Sequence, residues 1–387
     1  MTPNADVQGY AAPGFEDVVA AFAQNFSDGL EIGAAFAAYR DGKPLVDIWG
    51  GRADRATERS WRQETLQTIF SGTKGITATC ILMLIDRGLL TLDDPVCTHW
   101  PEFGKPEVLV SHIVSHRGRL PGIVAPVSVA DLVDDVHMAR LLAHEPQFDD
   151  PRAAFIYHPM TFGWLCGELV RRIDGRSLGE FFAEEIAKPL DLAFWIGLPP
   201  EREQDVATLA VAENWGVNTR FFEPPAAGVE DDSLLRSIWR NPPILSKDAF
   251  AWNTREFRAA ELPAAGGIGA ARAIAKFYSC LAAGGAPLMR EETLRLGRTE
   301  LSAGYDAMLN TQRRHGVGFQ LQTDQRLLGP SEDAFGHTGA GGSAHGAWPA
   351  YRVGFSYAMN LLRDEPQRDI RPQRLLDALD AALRHTR

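Results

Sequence analysis

A serine and a lysine three positions apart, Ser71 and Lys74, form the pattern in this sequence with the clearest chemical use. Residues three apart on a helix share a face, so the hydroxyl and the amine can meet. A serine hydroxyl is a weak nucleophile and needs an adjacent base. An amine can be that base when burial in apolar surroundings lowers its pKa toward neutrality. The spacing therefore indicates a nucleophile, Ser71, and a base, Lys74.

The segment around this pair predicts a buried helix. The run after Lys74 has apolar residues on most faces and stops at Gly88, which is typical of a helix packed on all sides. A strand-like Thr-Ile-Phe stretch precedes Ser71. The same S-x-x-K letters also occur as an exposed N-cap followed by a solvated lysine. The start of a buried helix favours the catalytic interpretation.

A tyrosine beside a proline, in Tyr157-His158-Pro159, is the second candidate. Pro159 restrains the backbone just before a predicted helix. A phenol titrates at about 10, and a neighbouring ammonium group lowers its pKa. Tyr157 beside Lys74 could then deprotonate Ser71 and later protonate the leaving group. The alternative is an aromatic packing residue.

A glycine-rich stretch, FGHTGAGGSAHGAWP, contains the third candidate, His337-Thr338-Gly339. Glycines suit a strand edge where a substrate must approach the backbone closely. Unpaired N–H groups on such an edge can form an oxyanion hole. Glycines in strands also mark bulges, so the stretch alone leaves both interpretations open.

Composition and charge exclude several function classes. The chain has 387 residues, 45% hydrophobic and 23% charged, with a formal net charge of -11, as in a soluble globular protein. This charge opposes nucleic-acid binding, which needs clustered Lys and Arg. The densest basic stretch, Arg313 to His315, is interpreted as a solvated loop. The N-terminus lacks the apolar region of a secretory signal, and no apolar run spans a membrane, so we expect a cytoplasmic protein.

No cofactor is expected from the sequence. The cysteines show neither C-x-x-C nor paired Cys/His spacing, so we predict free thiols and no metal. The Gly266 to Gly269 cluster lacks the context of a dinucleotide site. The four cysteines are Cys80, Cys97, Cys166 and Cys280.

The order of predicted elements indicates an α/β fold with a helical insertion. Asp41-Gly42 between two apolar runs predicts a hairpin. Residues 96–299 are mostly helical, with long loops at 198–200 and 222–252 typical of binding loops. Strands follow at 317–322, 334–340, 344–349 and 353–360, and a last helix at 370–383. We predict a discontinuous α/β domain, 1–95 and 300–387, and a helical domain, 96–299, whose loops line the cleft.

Taken together, the three segments resemble the three catalytic motifs of the penicillin-recognising serine hydrolases. The resemblance is strongest to the family VIII carboxylesterases and their class C β-lactamase relatives, and it extends from Gly33 to Pro349. It implies a central antiparallel sheet flanked by helices, with an inserted helical domain. Stretches that carry it include GAAFAAYRDGKPLVDIWGG, LIDRGLLTLDDPV, SHRGRLPG, GWLCGELVRRIDGRSLGEFF and NTREFRAAELPAAGGIGAARAIAKFY.

The resemblance also implies a role for each matching residue. Ser71 would be the nucleophile, Lys74 and Tyr157 the acid/base pair, and the backbone amides of Ser71 and Ala340 the oxyanion hole. The residues that it implies for substrate binding are His337, Thr338, Gly339 and Trp348.

Three positions depart from the family pattern. His337 replaces a lysine that helps to bind the carboxylate of a β-lactam, and a histidine is neutral much of the time at pH 7. Pro159 replaces an asparagine that helps to hold substrate amides. Trp348 stands where many relatives have an acidic residue, and its indole is expected to narrow or line the acyl pocket. All three departures favour esters over lactams.

The resulting expectation is a serine carboxylesterase that acts on short-chain acyl esters, with a small-molecule ester as its only predicted partner. The alternatives are a β-lactamase or D-amino-acid peptidase, an acyltransferase, and a non-catalytic binding protein that has kept the cleft. A G-x-S-x-G elbow is absent, so Ser343 is interpreted as structural. His116 and His158 are interpreted as histidines that satisfy local hydrogen bonds.

Overall fold

The chain folds around a ten-stranded antiparallel sheet, in a computed structural model that describes residues 7–217, 219, 222–223, 225, 228–365 and 368–385. The strands of the described residues are β1 (Gln8–Ala11), β2 (Gly33–Arg40), β3 (Lys43–Asp54), β4 (Arg59–Ser60), β5 (Gln67–Thr68), β6 (Phe194–Ile196), β7 (Ala210–Val211), β8 (Gly267–Gly269), β9 (Ser302–Asp306), β10 (Thr311–His315), β11 (Gln320–Leu321), β12 (Phe335–Thr338), β13 (Ala344–Trp348), β14 (Val353–Met359) and β15 (Leu361–Leu362). The large sheet has the order β1-β3-β2-β14-β13-β12-β11-β10-β9, and β4 pairs with β3.

Helices cover both faces of this sheet and fill the middle of the chain. The α-helices of the described residues are α1 (Glu16–Ser27), α2 (Thr73–Asp86), α3 (Val96–His99), α4 (Val110–Val114), α5 (Val129–Leu132), α6 (Asp135–His144), α7 (Thr161–Asp174), α8 (Leu178–Phe182), α9 (Lys188–Leu190), α10 (Ser233–Trp239), α11 (Arg255–Ala259), α12 (Ala271–Ala282), α13 (Glu291–Gly297) and α14 (Ile370–His385). Within the described residues, no helix has the length and apolarity to cross a membrane. The predicted free thiols are confirmed, since all four cysteines are unpaired.

The hairpin predicted at Asp41-Gly42 joins β2 to β3. Both turn residues have positive φ, 51° for Asp41 and 73° for Gly42. Such a turn matches the right-handed twist of the flanking strands, which is why Asp-Gly is favoured there. The hairpin prediction is therefore confirmed.

Small side chains on one face of the central strands allow α12 to approach closely. Ala35, Ala37 and Ala358 pack with alanines of α12, and a Cβ on Gly354 would lie 2.0 Å from the backbone nitrogen of Ser279. Helices α1 and α14 pack against each other, and their apolar residues join the core formed by the large side chains of β2 and β3. Helix α12 thus packs on the sheet although it belongs to the range 96–299. The predicted division into two domains stays a prediction.

A small antiparallel sheet, β5-β8-β6, fixes the start of α2. The hydroxyl of Thr73 donates to the carbonyl of Phe70 at 2.6 Å and accepts from the N–H of Gly267, in β8, at 2.9 Å. The first turn of α2 is thereby tied to β8. As predicted, α2 is buried along most of its length, and it is followed by Gly88 with a φ of 71°.

Two predictions about the chain's organisation need correction. The basic stretch Arg313 to His315 is not a solvated loop but part of β10, which pairs with β9 along its whole length. The stretch 222–252 was expected to be a loop, yet it contains α10. Residues 224, 226 and 227 of that stretch lie outside the described residues. The predicted strands before and after β12 and the last helix are present.

Candidate active site

Ser71 lies in the middle of a single 3₁₀ turn, Phe70–Gly72, that leads directly into α2. Phe70 has a φ of 47°, a left-handed conformation that costs free energy for a residue with a side chain. The turn also packs closely against β13, because a Cβ on Gly72 would lie 2.5 Å from the imidazole of His345. The position of the Ser71 hydroxyl is therefore fixed from both sides.

The amine of Lys74 is fully buried and points at Ser71. Its Nζ lies 3.3 Å from Oγ of Ser71 and donates to the carbonyls of Pro159 at 2.7 Å and Ala264 at 3.0 Å. Burial, with a contribution from the positive charge of Arg313, holds the pKa of Lys74 well below its usual range. The predicted proximity of the hydroxyl and the amine is present in the structure.

These three contacts suit an ammonium group as well as a neutral amine, and it is burial that favours the neutral form. A neutral Lys74 has two N–H groups and one lone pair, whereas an ammonium group has three N–H groups and no lone pair. In the neutral form, the carbonyls of Pro159 and Ala264 can accept the two N–H groups, and the lone pair is then available to the hydroxyl of Ser71. The arrangement can accept the proton of the serine.

Tyr157 packs against the same amine. Its ring centroid lies 4.8 Å from Nζ of Lys74, and its backbone N–H donates to Asp306 at 2.8 Å. The phenol oxygen is buried and has no hydrogen-bond partner among the described residues. Burial raises the pKa of Tyr157, although the nearby hydroxyl of Ser71 and the charge on Arg313 act in the opposite direction. The prediction of a lowered pKa is wrong, because desolvation of the phenolate outweighs the neighbouring charges.

The end of β12 approaches the turn that carries Ser71. A Cβ on Gly339 would lie 2.3 Å from the carbonyl oxygen of Ile69. His337 is buried, with Nδ1 at 2.6 Å from the carbonyl oxygen of Thr338. Burial holds the pKa of His337 well below its usual range. The imidazole is therefore neutral at pH 7 and provides no cation on this strand.

The loop after Gly339 places a second backbone amide in the cleft. Ala340 and Ser71 line the same cleft. In the described part of the chain, neither of their N–H groups donates to a carbonyl or a side chain. The buried guanidinium of Arg371 donates to the carbonyl of Gly341 at 2.6 Å and pairs with Asp369. This contact fixes the loop whose amide is free.

The cleft has two compartments that meet at Ser71 and Ala340. The first, called the apolar pocket below, has a cavity volume of about 80 Å³. It is therefore narrow. Its apolar wall includes Phe70, Ile123, Met138, Trp164, Ile238 and Trp252. The second, called the polar pocket below, is lined by residues that include Tyr157, Arg313, His337, Thr338, Arg363 and Asp364.

Comparison with known protein families shows the family of this chain. A family model described as Beta-lactamase matches residues 22–380. The chain belongs to the β-lactamase family. The predicted resemblance and the predicted β-lactamase/transpeptidase-like fold are both confirmed by this match.

Individual relatives agree with the family assignment. The chain is 33% identical over 386 residues to the esterase/β-lactamase LipL of Mycobacterium tuberculosis, covering 92% of this chain and 83% of that protein. A crystal structure of a family VIII carboxylesterase is 36% identical, with a TM-score of 0.87 over 97% of this chain and 100% of that one. A penicillin-binding protein homologue from Caulobacter crescentus is 34% identical, with a TM-score of 0.86 over the same shares. A serine hydrolase of the esterase and β-lactamase group is thereby confirmed.

Trp348 does not line the cleft of this β-lactamase-family protein. Its indole is fully buried, its Nε1 donates to the carbonyl of Leu328 at 2.8 Å, and its ring packs 5.4 Å from that of Phe355. Successive side chains of a strand point to opposite faces. Because His345 faces the nucleophile turn at Gly72, Trp348, three positions later, faces away from it. The predicted contact of Trp348 with substrate is wrong.

Arg313 is the cleft residue that the sequence interpretation missed. It is half-buried, and its guanidinium carbon lies 5.1 Å from the ring centroid of Tyr157. Its neighbour His315 is buried, with its ring 4.5 Å from that of His116. Three consecutive cationic or polar residues show none of the apolar alternation that identifies a half-buried strand. No signal in the single sequence marks this stretch as part of the site.

His158 satisfies local hydrogen bonds, as predicted. Its Nε2 accepts from the N–H of Leu120 at 3.2 Å, and its Nδ1 lies 2.7 Å from the carbonyl oxygen of Ile156. The N–H of His158 donates to Nδ1 of His116 at 3.2 Å. The two histidines thus connect the segment that contains Tyr157 to the loop after α4.

Buried neutral histidines should make the protein sensitive to acid. Burial lowers the pKa of His158 to about 4 and that of His345 to about 3, whereas an unfolded histidine titrates at about 6.5. The unfolded chain therefore binds protons first as the pH falls. For each histidine, the free energy of unfolding should drop by about 1.4 kcal/mol per pH unit below pH 6.5. Urea unfolding at pH 7 and pH 5 measures this drop.

The matched variants are His345→Asn and His144→Asn, the latter at an exposed position. The difference in unfolding free energy between pH 7 and pH 5 should shrink by about 2 kcal/mol in His345→Asn. It should be unchanged in His144→Asn. Equal pH dependence in all three proteins would show that His345 is not buried in its neutral form.

Proposed function

We propose that the protein is a carboxylesterase that hydrolyses short-chain acyl esters through an acyl intermediate on Ser71. The observation that carries this proposal is the buried amine of Lys74, which lies 3.3 Å from Oγ of Ser71 and within hydrogen-bond distance of two backbone carbonyls. Relatives named as an esterase/β-lactamase and as a family VIII carboxylesterase support ester chemistry. The cytoplasmic location stays a prediction.

Acylation begins when Oγ of Ser71 attacks the ester carbonyl carbon and its proton moves to the neutral amine of Lys74. The negative charge that forms on the carbonyl oxygen is stabilised by the N–H groups of Ser71 and Ala340, each worth about 2.7–4 kcal/mol of barrier. The phenol of Tyr157, neutral because of its raised pKa, gives its proton to the departing alkoxide. The ammonium group of Lys74 then returns a proton to the phenolate.

Deacylation repeats these steps with water as the nucleophile. As the water attacks the acyl carbon, Tyr157 takes a proton from it and passes its own phenol proton to the neutral amine of Lys74, and the same two amides stabilise the second oxyanion. Ser71 leaves as the alkoxide and receives that proton. The enzyme returns to the neutral amine and neutral phenol, and the acid is released.

The cleft supports esters of short apolar acids. The apolar pocket opens beside Ser71 and is narrow, which suits a short or flat acyl group. His337 is neutral and Pro159 presents a backbone carbonyl to Lys74 instead of an amide side chain. Both features depart from the lactam-binding contacts that the family resemblance implies.

Paired assays test this proposal. The purified protein should turn over p-nitrophenyl butyrate and release butyrate, with a larger kcat/KM than for the β-lactam nitrocefin. Faster opening of nitrocefin would favour a β-lactamase, and a butyrate ester formed from added alcohol would favour an acyltransferase. Failure to hydrolyse any ester and to react with a fluorophosphonate would indicate a binding protein.

Tyr157→Phe should lower kcat by about 10²- to 10³-fold, because the variant cannot protonate the leaving alkoxide. Tyr278→Phe is the matched control, since Tyr278 is also fully buried with an unpaired hydroxyl but packs against Gly75, away from the cleft. Steady-state kinetics with p-nitrophenyl butyrate and with a phenyl ester that has a poorer leaving group measure the effect. Near-wild-type rates for Tyr157→Phe on the poorer leaving group would contradict its role.

A further inference from the structure

We propose that Arg313 binds a negatively charged group on the alcohol part of the substrate. This inference rests on the proposed esterase function and names the substrate class of the same site. It predicts esters of an apolar acid with an alcohol that carries a carboxylate or a similar anion. Three observations support this inference. Two guanidinium nitrogens of Arg313 have no hydrogen-bond partner among the described residues, Arg313 lines the polar pocket, and the other charged side chains of that pocket already have partners.

The guanidinium of Arg313 has open donors. Its Nε and Nη1 are buried and have no hydrogen-bond partner among the described residues. The next residue, Arg314, instead donates to Glu300 at 2.6 Å and to the carbonyl of Gln322 at 2.9 Å. A buried donor without an acceptor costs free energy that a bound anion can restore. Arg313 is therefore available to a ligand in a way that Arg314 is not.

The location of Arg313 assigns it to the alcohol part of the ester. Ser71 and Ala340 line both compartments, so the reacting carbonyl lies between them. Tyr157, the proposed donor to the departing alkoxide, lines the polar pocket together with Arg313. The acyl group then occupies the apolar pocket, and the alcohol extends along the polar pocket past Tyr157 to the guanidinium.

The other charged side chains of the polar pocket already have partners. Arg363 pairs with Glu365 at 2.7 Å. Asp364 accepts from the N–H and the hydroxyl of Thr219 at 2.7 and 2.9 Å. The negative charge of Asp364 repels an anion from the part of the polar pocket that Asp364 lines. The anion is therefore expected beside Arg313.

Anion recognition in this cleft would thus come from β10 and not from β12. The strand β12 carries His337, whose neutral imidazole provides no positive charge for a substrate carboxylate. This lack of a cation applies to β12 and not to β10. Arg313 introduces a permanent cation 5.1 Å from the centroid of the Tyr157 ring. The charge faces a different part of the substrate from the acyl group.

A matched pair of esters tests the proposal. We choose 4-(butyryloxy)benzoate, whose leaving phenol carries a carboxylate, and 4-(butyryloxy)benzamide, which is neutral and of similar shape. The quantity measured is the ratio of kcat/KM for the benzoate to that for the benzamide, compared across enzyme variants so that intrinsic reactivity cancels. Arg313→Gln should lower this ratio by about tenfold or more. Arg313→Lys, which keeps the charge, should keep most of it, and Arg314→Gln should leave it unchanged.

The outcomes separate this inference from the esterase proposal. If neither ester is hydrolysed by the wild type, the proposed function fails. If both are hydrolysed and Arg313→Gln leaves the ratio unchanged or slows both esters equally, the function stands and the inference fails. The inference also fails if Arg313→Gln changes turnover of mono-p-nitrophenyl glutarate relative to p-nitrophenyl butyrate instead, because the anion would then be on the acyl part.

Discussion

Ser71→Ala is expected to reduce kcat for p-nitrophenyl acetate and butyrate on the order of 10⁵-fold, to near the uncatalysed rate. The reason is that the proposed reaction proceeds through a covalent bond to Oγ of Ser71, for which alanine has no substitute. The side chain is only partly buried, and its contact with Lys74 is with a residue of the same site, so the fold should persist. Circular dichroism and the thermal midpoint would verify the fold beside the kinetics.

Ser343→Ala is the matched control for this prediction. Ser343 lies in the glycine-rich loop after β12, and its backbone carbonyl accepts from the N–H of Gly339 at 2.9 Å. That contact does not depend on the side chain. Activity within a few-fold of wild type in Ser343→Ala, with loss in Ser71→Ala, is the expected pair of results. Retained esterase activity in Ser71→Ala would show that the nucleophile lies elsewhere.

Lys74→Ala is expected to lower kcat/KM by about 10³-fold or more, because Nζ of Lys74 lies 3.3 Å from Oγ of Ser71 and is the proposed acceptor of its proton, whereas the buried phenol of Tyr157 has a raised pKa and stays protonated. Lys74→Arg should be impaired just as strongly, since a guanidinium keeps a charge but has no lone pair to accept a proton. A base also imposes a pH dependence. In the wild type, kcat/KM should fall as the pH drops through the lowered pKa of Lys74, because the ammonium form cannot accept a proton.

Lys105→Ala tests whether the loss is specific to the base. Lys105 is a half-buried lysine that also donates to backbone carbonyls, those of Phe103, Leu142 and Ala143, with no serine beside it. Its replacement should change stability and leave kcat/KM near the wild-type value. A Lys74→Ala enzyme with a wild-type rate and an unshifted acid limb would mean that another group is the base.

The parts of the site that lie close together in sequence could be predicted. Ser71 and Lys74 are separated by one helical turn, and the apolar run after them is long enough to identify a buried helix. The Asp41-Gly42 turn is equally local. The motif resemblance placed Tyr157 and His337 beside them, although 83 positions separate Lys74 from Tyr157 and 180 separate Tyr157 from His337. The structure brings the three segments that carry Ser71, Tyr157 and His337 to one cleft.

Features that depend on the packing of distant segments could not be predicted. Whether Trp348 faces the cleft is decided by the register of β13 against β14 and by its contacts with Leu328. The burial of His315 and the position of Arg313 over Tyr157 result from the pairing of β10 with β9 and β11. The net direction of the pKa shift of Tyr157 depends on the extent of its burial, which a motif does not contain.

The central claim is that the acyl group of the substrate is transferred to Ser71. The most direct measurement is acid quenching of the enzyme during turnover of p-nitrophenyl butyrate, followed by intact mass spectrometry and peptide mapping. We predict one butyryl group per chain, located on the peptide that contains Ser71 and absent from Ser71→Ala. A butyryl group on any other residue, or its presence at equal yield in Ser71→Ala, would contradict the account.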